Sequence, residues 1–512
     1  YLALLGQIDY SCCPAVPPEM TLLPRWSPAN LYAISAWSRT IVVPLSIMWA
    51  KRPVKQLDAR QGIRELFLKA PEEWPALRCP GLPGGTGLVS WDRFFRLADG
   101  VFKWLDARKW VPLRRRALLQ AERWVMDRFD GSEGLGAIFP PMVWSVIALD
   151  CLGYGRESEP MQYCLDQLER LGIDDGEIAR VRPCKSPVWD TSIALRAMTA
   201  SSDGVGRPET ARASRWLLDR QVMRRGDWSE TVEGECGGWS FEYANEFYPD
   251  LDDTAMVAMA LAEQFGDDGE GDLKVVSETA AADEAGREEL LARATSAIAA
   301  GEQWICAMQN RDGGWGAFDK DNDREFLCYV PFADHNAMID PSTPDLTARV
   351  LECLGTLGRR TGDAVVDRAV AYLRTTQEAD GSWFGRWGVN YIYGTWQVLA
   401  GLARVGVGRD DPAMAAGADW LAVHQQPCGG WGETARSYDD PSLRGQGKPT
   451  ASQTAWAILG LLAAGRGESE SVRRGIDYLI STQEPDGTWT EREFTGTGFQ
   501  RVFYLRYHYY PI

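Results

Sequence analysis

The sequence predicts an all-α protein built as an α/α barrel, and two repeated features predict this fold. The first is the phrase Gln-x-x-x-Gly-x-Trp, which recurs four times, each copy after an amphipathic helical pattern. The second is a set of apolar helices that follow these phrases. An outer helix, a tight turn and a buried inner helix, when repeated, form concentric rings of helices with few strands.

Each copy of the repeated phrase has a physical logic, and we call it a clasp. Asp-Gly or Gly-Gly forces a tight turn that only small residues tolerate. The tryptophan beyond can fold back, pack its ring and donate its indole N–H to the glutamine carbonyl or to nearby backbone. The strict clasps span residues 309–315, 377–383, 425–431 and 483–489, and a looser one runs from Gln221 to Trp228 with one inserted residue.

The helices that follow the clasps open with a threonine, often after a polar residue. The run from 254 to 261 is apolar nearly all round, as expected of a buried helix. We interpret the small polar residues at these starts as N-caps. The five starts are Asp190-Thr191, Asp253-Thr254, Leu346-Thr347, Gly394-Thr395 and Gln453-Thr454.

Composition narrows the possible classes of protein. The 512 residues are 45% apolar, enough for two or three domains with a substantial core. With 54 basic and 71 acidic residues the net charge is −17, which argues against nucleic-acid binding through a basic surface. Eleven scattered cysteines and three histidines favour reduced thiols in a cytosolic compartment and argue against a structural zinc site.

Hydropathy along the chain and its first residues bear on membrane spans and signal peptides. No apolar run reaches the roughly 18 residues that a membrane span needs. Tyr1 opens an apolar stretch without a preceding Met or a signal peptide, and we expect an N-terminal segment to be missing.

One amphipathic segment in the first part of the chain leaves two interpretations open. An aromatic face beside clustered cations suits a helix that lies in a membrane interface. The alternative is an ordinary amphipathic helix packed on the core. The apolar residues are Trp91, Phe94, Phe95, Ala98, Phe102 and Leu105, and the cations are Arg93, Arg96, Lys103, Arg108 and Lys109.

A cluster of carboxylates marks the start of one buried helix. Asp250, Asp252 and Asp253 fall within four residues, just before an apolar run. Aspartate is a favoured N-cap and acidic first turns complement the helix dipole, so capping alone could explain the pattern. Three carboxylates exceed what a cap needs, however. Like charges in one buried place cannot all ionise cheaply, so one of them should hold a proton.

An acid among many aromatic rings points to carbocation chemistry. The chain holds 22 Trp, 17 Tyr and 16 Phe. A carbocation needs a dry container lined by π faces, each of which stabilises positive charge by about 0.5–2 kcal/mol. A protonated carboxyl can start such a reaction. The sequence contains neither a phosphate loop of the G-x-x-x-x-G-K type nor a D-D-x-x-D metal–diphosphate motif, so we expect no cofactor and no metal.

Over essentially its whole length the chain resembles squalene–hopene cyclase, of the class II triterpene cyclase family. The clasps resemble the family's QW motifs, and residues 250–255 resemble its D-x-D-D-T-A acid motif. The resemblance implies a double α/α barrel, or toroid, attached to the cytoplasmic face of a membrane as a monotopic protein. Residues 1–155 would be the remainder of one barrel, carrying the candidate membrane-facing helix, and 156–512 the other. Further matching phrases are 186–191, 237–242, 387–391 and 496–499.

The resemblance also implies roles for single residues. Asp252 would be the proton donor, flanked by Asp250 and Asp253. Tyr329 stands where the family usually places a histidine that polarises the acid, and His335 lies nearby in sequence. Tyr1 stands where the family has a cavity tryptophan, Phe139 where some members carry a glutamine that positions the terminating water, and Gln500 where proline is common. The other expected cavity residues are Trp189, Phe241, Phe318, Trp456, Phe499, Phe503, Tyr507 and Tyr510.

The function implied is proton-initiated cyclisation of squalene to hopene-type or hopanol-type pentacyclic triterpenes. The expected partners are squalene or a similar polyprenyl hydrocarbon and a membrane surface, with a homodimer as the expected assembly and no nucleic acid. One alternative keeps the acid but takes another polyprenoid, such as a tetraprenyl-curcumene. A second alternative is a non-catalytic helical toroid that only binds polyprenyl lipid.

Overall fold

The computed structural model describes residues 1–58, 60–74, 89–201, 208–265, 284–333, 337–507 and 509–511. These residues pack into two compact units. The first unit is Tyr1–Lys185 with Glu242–Tyr248 and Asn322–Asp340, and the second is Ser186–Phe241 with Pro249–Asp321 and Pro341–Ile512. The division into barrels at residue 155 stays a prediction.

The first unit is mainly helical. Its core lies between α1, α3 and α4, where Val43, Ala121 and Leu135 are fully buried. Ser35 begins α1 as its N-cap, accepting a hydrogen bond from the backbone N–H of Ser38. The elements are α1 (Ala36–Lys51), α2 (Trp91–Ala107), α3 (Arg114–Asp127), α4 (Phe139–Leu152), α5 (Glu159–Glu169) and the antiparallel pair β1 (Gly172–Asp174) and β2 (Ala179–Val181).

Helix α2 is the candidate membrane-facing helix. Within this helix, all of whose residues are described, only Asp92 is buried. Phe94 is 55% exposed and Leu97 70%, and Trp91 lies near Phe326 with 4.9 Å between ring centroids. A core helix would bury its apolar stripe, whereas α2 leaves much of its own stripe exposed among the described residues. Among the described residues, no helix is both long enough and apolar enough to cross a membrane.

The second unit alternates inner and outer helices. Helices α6, α8, α10, α12 and α14 pack against one another in that order, and the helices between them lie outside. The inner helix α8 is buried nearly all round. The elements are α6 (Pro187–Ala200), α7 (Pro208–Leu218), α8 (Leu251–Phe265), α9 (Glu284–Ala307), α10 (Pro344–Thr356), α11 (Ala364–Thr375), α12 (Tyr391–Arg404), α13 (Pro412–Val423), α14 (Ala451–Ala463), α15 (Glu470–Thr482), β3 (Gly496–Phe499) and β4 (Phe503–Leu505). This alternation confirms the predicted all-α class and α/α architecture.

The clasps join each outer helix to the next one. Gln309 donates to the carbonyl of Gly313 and to that of Val365 in the first turn of α11, both at 2.9 Å. The indole N–H of Trp315 donates to the carbonyl of Ile305 at 2.8 Å. The indole therefore caps backbone and not the glutamine carbonyl. The same indole bond, to the residue ten positions earlier, forms at Trp383, Trp431 and Trp489.

The prediction for the looser clasp was wrong. Gln221 donates to the carbonyl of Gly237, and the indole N–H of Trp239 donates to the carbonyl of Leu217 at 2.7 Å. Trp239, not Trp228, therefore completes this clasp. The reason is an inserted loop that contains the 3₁₀ turn Asp227–Glu230, which delays the Gly-Gly-Trp end of the phrase.

The prediction that the repeated threonines begin the inner helices as N-caps was also wrong. All five lie inside the first turns of their helices, and in four of them the hydroxyl accepts the backbone N–H of a clasp tryptophan. Thr254 accepts from Trp239 at 2.9 Å, and Thr347 accepts from Trp315 at 3.1 Å. These threonines attach each clasp to its inner helix. The other pairs are Trp383 with Thr395 and Trp431 with Thr454.

Candidate active site

Asp250 is the cap of the helix that carries the carboxylate cluster. Its Oδ1 accepts from the backbone N–H of Asp252 at 2.6 Å and of Asp253 at 3.2 Å. Its own N–H donates to the carbonyl of Trp239 at 2.7 Å, next to the clasp. Asp250 therefore acts as the N-terminal cap of α8, and this cap holds the first turn of the helix in place.

Asp252 is a carboxyl that the fold largely removes from bulk water but leaves partly exposed. Its side chain is 16% exposed, and its Oδ1 accepts from Nε of Arg349 at 3.1 Å. Burial raises the pKa of Asp252 to about 6, against the lowering effect of the Arg349 cation. Part of the Asp252 population therefore holds a proton near neutral pH. Sequence reasoning attributed proton retention to like charges, whereas burial is the larger cause.

Arg349 is the buried member of a chain of ion pairs that continues from Asp252. Its guanidinium lies 3.2 Å from Glu352, which is 3.0 Å from Arg196 and accepts from Gln397 at 2.9 Å. Arg196 also pairs with Glu263 at 2.8 Å. Although burial raises the pKa of Glu352, Arg196 and Arg349 outweigh burial and lower that pKa to about 2. Glu352 is therefore a carboxylate that anchors both arginines.

Sequence reasoning missed Arg349 and this network. A signal was present, because Arg349 and Glu352 interrupt an otherwise apolar inner helix. Charged side chains are almost never buried without partners, so such a pair within a buried helix indicates a network.

Aromatic rings from several inner helices gather beside Arg349. Its guanidinium carbon lies 5.8 Å from the ring centroid of Trp189 and 5.6 Å from that of Trp396. Trp396 stacks on Trp456 with centroids 5.8 Å apart and ring planes 1° apart. Tyr510 completes the group, with its ring 5.6 Å from that of Trp456. The structure thus brings together three predicted residues, Trp189, Trp456 and Tyr510, and adds Trp396.

Tyr393 and Tyr507 extend this aromatic group. Tyr393 on α12, also missed from the sequence, lies 4.9 Å from Trp456 between ring centroids. The ring of Tyr507 lies 4.5 Å from that of Tyr510, and its hydroxyl donates to Oδ1 of Asp190. This hydrogen bond fixes the phenol in place, while burial raises the pKa of Asp190.

The other predicted residues of the second unit lie on the short strands β3 and β4 or on connections between helices. Phe499 and Phe503 face each other in the register of β3 and β4. The carbonyl of Phe241 accepts from the N–H of Val188 at 3.3 Å, at the start of α6. Phe318 is half-buried and follows Ala317, whose carbonyl accepts from the N–H that begins α8.

Three predicted residues belong to the first unit. Tyr1 is 60% exposed, with its ring 4.5 Å from that of Trp144. Phe139 begins α4, and Tyr329 ends the 3₁₀ turn Glu325–Tyr329. The roles of these three residues stay predictions. His335 lies outside the described residues.

Comparison with known proteins defines the family. The family model described as the squalene-hopene cyclase C-terminal domain matches residues 185–512, and that of the N-terminal domain matches residues 1–177. The chain belongs to the squalene–hopene cyclase family. As a member of this family it is an enzyme, a class II terpene cyclase, as the sequence predicts.

Individual members of the squalene–hopene cyclase family are similar over nearly the whole chain. A probable squalene–hopene cyclase of Sinorhizobium fredii is 40% identical, covering 99% of this chain and 75% of the relative. The squalene–hopene cyclase of Bradyrhizobium diazoefficiens is also 40% identical, covering 99% and 74%. The dammaradiene synthase of Dryopteris crassirhizoma is 39% identical, again covering 99% and 74%.

Proposed function

We propose that this protein cyclises squalene to hopene-type pentacyclic triterpenes, with Asp252 as the acid that protonates the terminal alkene. The observation that carries the proposal is a partly exposed carboxyl whose pKa burial raises to about 6, set beside aromatic rings. An acid of this pKa holds a usable proton near neutral pH. The names of the two bacterial relatives support squalene as the substrate.

The proposed reaction needs only a proton to start it. The π electrons of the terminal alkene form a C–H bond with the proton of Asp252, whose O–H bond breaks. The tertiary cation that results is attacked by the next alkene, and successive closures move the positive charge along the chain. Loss of a proton gives a hopene, and addition of water gives a hopanol. No electrons are gained or lost overall.

The aromatic residues are proposed to stabilise successive cations through their π faces. Each face contributes about 0.5–2 kcal/mol when it is kept dry. The proposed set in the second unit is Trp189, Phe241, Phe318, Trp456, Phe499, Phe503, Tyr507 and Tyr510.

The first experiment asks whether Asp252 is needed to turn over squalene. Detergent-solubilised protein is incubated with squalene and the products are analysed by mass spectrometry, beside Asp252→Asn. We expect wild type to give a pentacyclic product. The rate of the variant should be lower by a factor of about 10²–10⁴, the usual contribution of general acid catalysis. Asp363→Asn, which alters the N-cap of the outer helix α11, is the control and should keep full activity.

Three outcomes would contradict the proposal. Wild type without a cyclic product would favour the non-catalytic lipid-binding alternative. Undiminished product from Asp252→Asn would remove Asp252 as the acid. Turnover of another polyprenoid, such as a tetraprenyl-curcumene, in place of squalene would favour the enzymatic alternative.

We also propose that α2 attaches the protein to the cytoplasmic face of a membrane as a monotopic protein. The exposed Phe94 and Leu97 support this, together with Arg108, whose guanidinium carbon lies 4.2 Å from the Trp104 ring centroid. Aromatic rings and cations on one exposed helix suit the interface of an anionic bilayer. A hydrocarbon substrate dissolves in such a bilayer and not in water. A homodimer stays a prediction of the sequence.

Flotation with phosphatidylglycerol vesicles tests this attachment. The double variant Phe94→Asp and Leu97→Asp should remain at the bottom of the gradient while wild type floats. Leu119→Asp, at a 47% exposed apolar position on α3, is the matched control and should float. Equal flotation of all three proteins would show that α2 does not carry the attachment.

A further inference from the structure

The donor that meets the proposed acid is a guanidinium. Nε of Arg349 lies 3.1 Å from Oδ1 of Asp252, and the Arg349 side chain is only 4% exposed. The two residues come from neighbouring inner helices, α10 and α8. Nothing in the proposed reaction as stated above assigns a role to Arg349.

The guanidinium of Arg349 is also fixed by an ion pair with Glu352. Its Nη1 lies 3.2 Å from Oε2 of Glu352, one turn further along α10. Glu352 in turn is fixed by Arg196 of α6 at 3.0 Å and by Gln397 of α12 at 2.9 Å. Four successive inner helices therefore determine where the guanidinium lies, and it keeps its position against Asp252.

The chemistry of a guanidinium decides which oxygen of Asp252 carries the proton. Arginine has only donors and no acceptor, and the carbonyl oxygen of a protonated carboxyl is a stronger acceptor than its hydroxyl oxygen, so a guanidinium favours the carbonyl form of the oxygen that it contacts. Oδ1 is that oxygen, which leaves Oδ2 for the proton. We propose that Arg349 is a positioning residue, which confines the transferable proton of Asp252 to Oδ2 and stabilises the carboxylate left after transfer. This inference rests on the proposed function.

A second consequence concerns the return of the proton. After transfer the Oδ2–H bond is broken, a C–H bond has formed on the substrate and Asp252 is a carboxylate paired with Arg349. Arginine stays protonated at any physiological pH and cannot pass a proton on. A group other than Arg349, such as water, must therefore supply the proton that restores Asp252, and Arg349 takes no part in a relay.

Other titratable groups surround this pair and contribute to its pH dependence. They come from the same helices, from α6 and α12, and from the C-terminal segment. These groups are Asp190 and Arg196 of α6, Asp250, Asp253 and Glu263 beside or on α8, Asp345 and Glu352 of α10, Tyr393 of α12 and Tyr510. None of them is altered in the variants below.

The test compares kcat and KM for squalene across pH in wild type, Arg349→Gln and Arg349→Lys. Arg349→Gln removes the cation that favours the carboxylate form of Asp252, so the pKa of Asp252 should rise. The pH at which kcat falls on the alkaline side should therefore be higher by at least about 1 pH unit. The plateau rate should fall about 100-fold, because a weaker acid donates its proton less readily. KM should change less than about threefold, since a positioning residue that does not touch substrate leaves binding in place.

Arg349→Lys separates charge from geometry. Its ammonium keeps the positive charge but lacks the planar fork, so the alkaline limb should stay near that of wild type while kcat falls about tenfold. The matched control is Arg359→Gln, which breaks an ion pair of 2.5 Å with Glu302 in the same unit but outside the inner row of helices. Its pH profile should match that of wild type.

The outcomes separate this inference from the proposed function. Wild type that forms no pentacyclic product would overturn both. Active wild type with an unshifted limb in Arg349→Gln would overturn the inference alone, whatever the loss of rate or of melting temperature. If Arg349→Gln does not fold, Arg349→Lys decides, and wild-type kcat in that variant would overturn the positioning role.

Discussion

Oδ1 of Asp250 lies 2.6 Å from the backbone nitrogen of Asp252, so one aspartate of the acid motif fixes the backbone of another. The cap takes up the N–H groups at the start of α8 and leaves the Asp252 side chain facing Arg349 and the aromatic rings. Capping and acid chemistry are therefore divided between neighbouring residues.

Loss of the Asp250 cap should destabilise the fold. Asp250→Ala removes the acceptor for two backbone N–H groups, and the free energy of unfolding should fall by about 0.5–2 kcal/mol. Asp250→Asn keeps the acceptor oxygen and should lose much less. Urea unfolding followed by circular dichroism measures the difference. Equal stability of the alanine variant and wild type would show that the cap is not needed.

A buried glutamate outside the acid site should make stability depend on pH. Glu433 is 2% exposed, and burial raises its pKa to about 7 from 4.5. The folded protein therefore holds this proton more tightly than the unfolded chain does. Its contribution is fully present below about pH 4.5 and is lost as pH rises to 7, by at most about 3 kcal/mol.

Glu433→Gln should remove this part of the pH dependence, because the amide resembles the protonated acid. Urea unfolding at pH 5 and at pH 8 measures it in both proteins. Glu470→Gln, at an exposed position that pairs with Arg473 on its own helix, is the control and should keep the wild-type slope. An identical slope in Glu433→Gln would contradict the assignment.

The clasps should differ in how much their indole hydrogen bonds stabilise the fold. Trp315→Phe removes an indole N–H that reaches the buried carbonyl of Ile305, and leaving a buried acceptor unpaired costs about 1–3 kcal/mol. Trp489 makes the same bond to Leu479 at 2.9 Å but is only half-buried, so water can replace its N–H. Trp489→Phe should therefore cost less. Melting temperatures of the two variants make the comparison, and equal losses would contradict it.

The aromatic group should act through its π faces. Trp456→Leu removes a face beside Tyr510 and Trp396, and kcat should fall about tenfold for a loss within the 0.5–2 kcal/mol that one face supplies. Trp456→Phe keeps a face and should lose less. Trp420→Leu, equally buried on the outer helix α13, should leave kcat unchanged. Equal rates in both Trp456 variants would indicate packing alone.

Local features of the sequence were sufficient for the fold and for part of the site. The clasp phrase predicts a helix end and a turn because its glutamine, glycine and tryptophan all bond within ten residues. The register at Trp239 was missed because an inserted loop separates it from Gln221. Asp252 was found because three adjacent carboxylates are conspicuous in any sequence.

The rest of the site depends on contacts that span the chain. Arg349 meets Asp252 across 97 residues, and no local pattern states which carboxylate a buried arginine will face. Tyr393 and Trp396 were missed for a similar reason, since in a chain with 22 tryptophans nothing local separates a ring of the site from a ring of the core. Only the packing of α10 against α8 and α12 brings these groups together.

The most direct test of the central claim is the reaction in heavy water. The protein is equilibrated in D₂O, so that the Asp252 carboxyl carries deuterium, and squalene is then added. The account predicts a pentacyclic product with one deuterium, at the ring carbon that came from the protonated terminal alkene. A cyclic product without deuterium at that carbon would contradict initiation by an exchangeable acid.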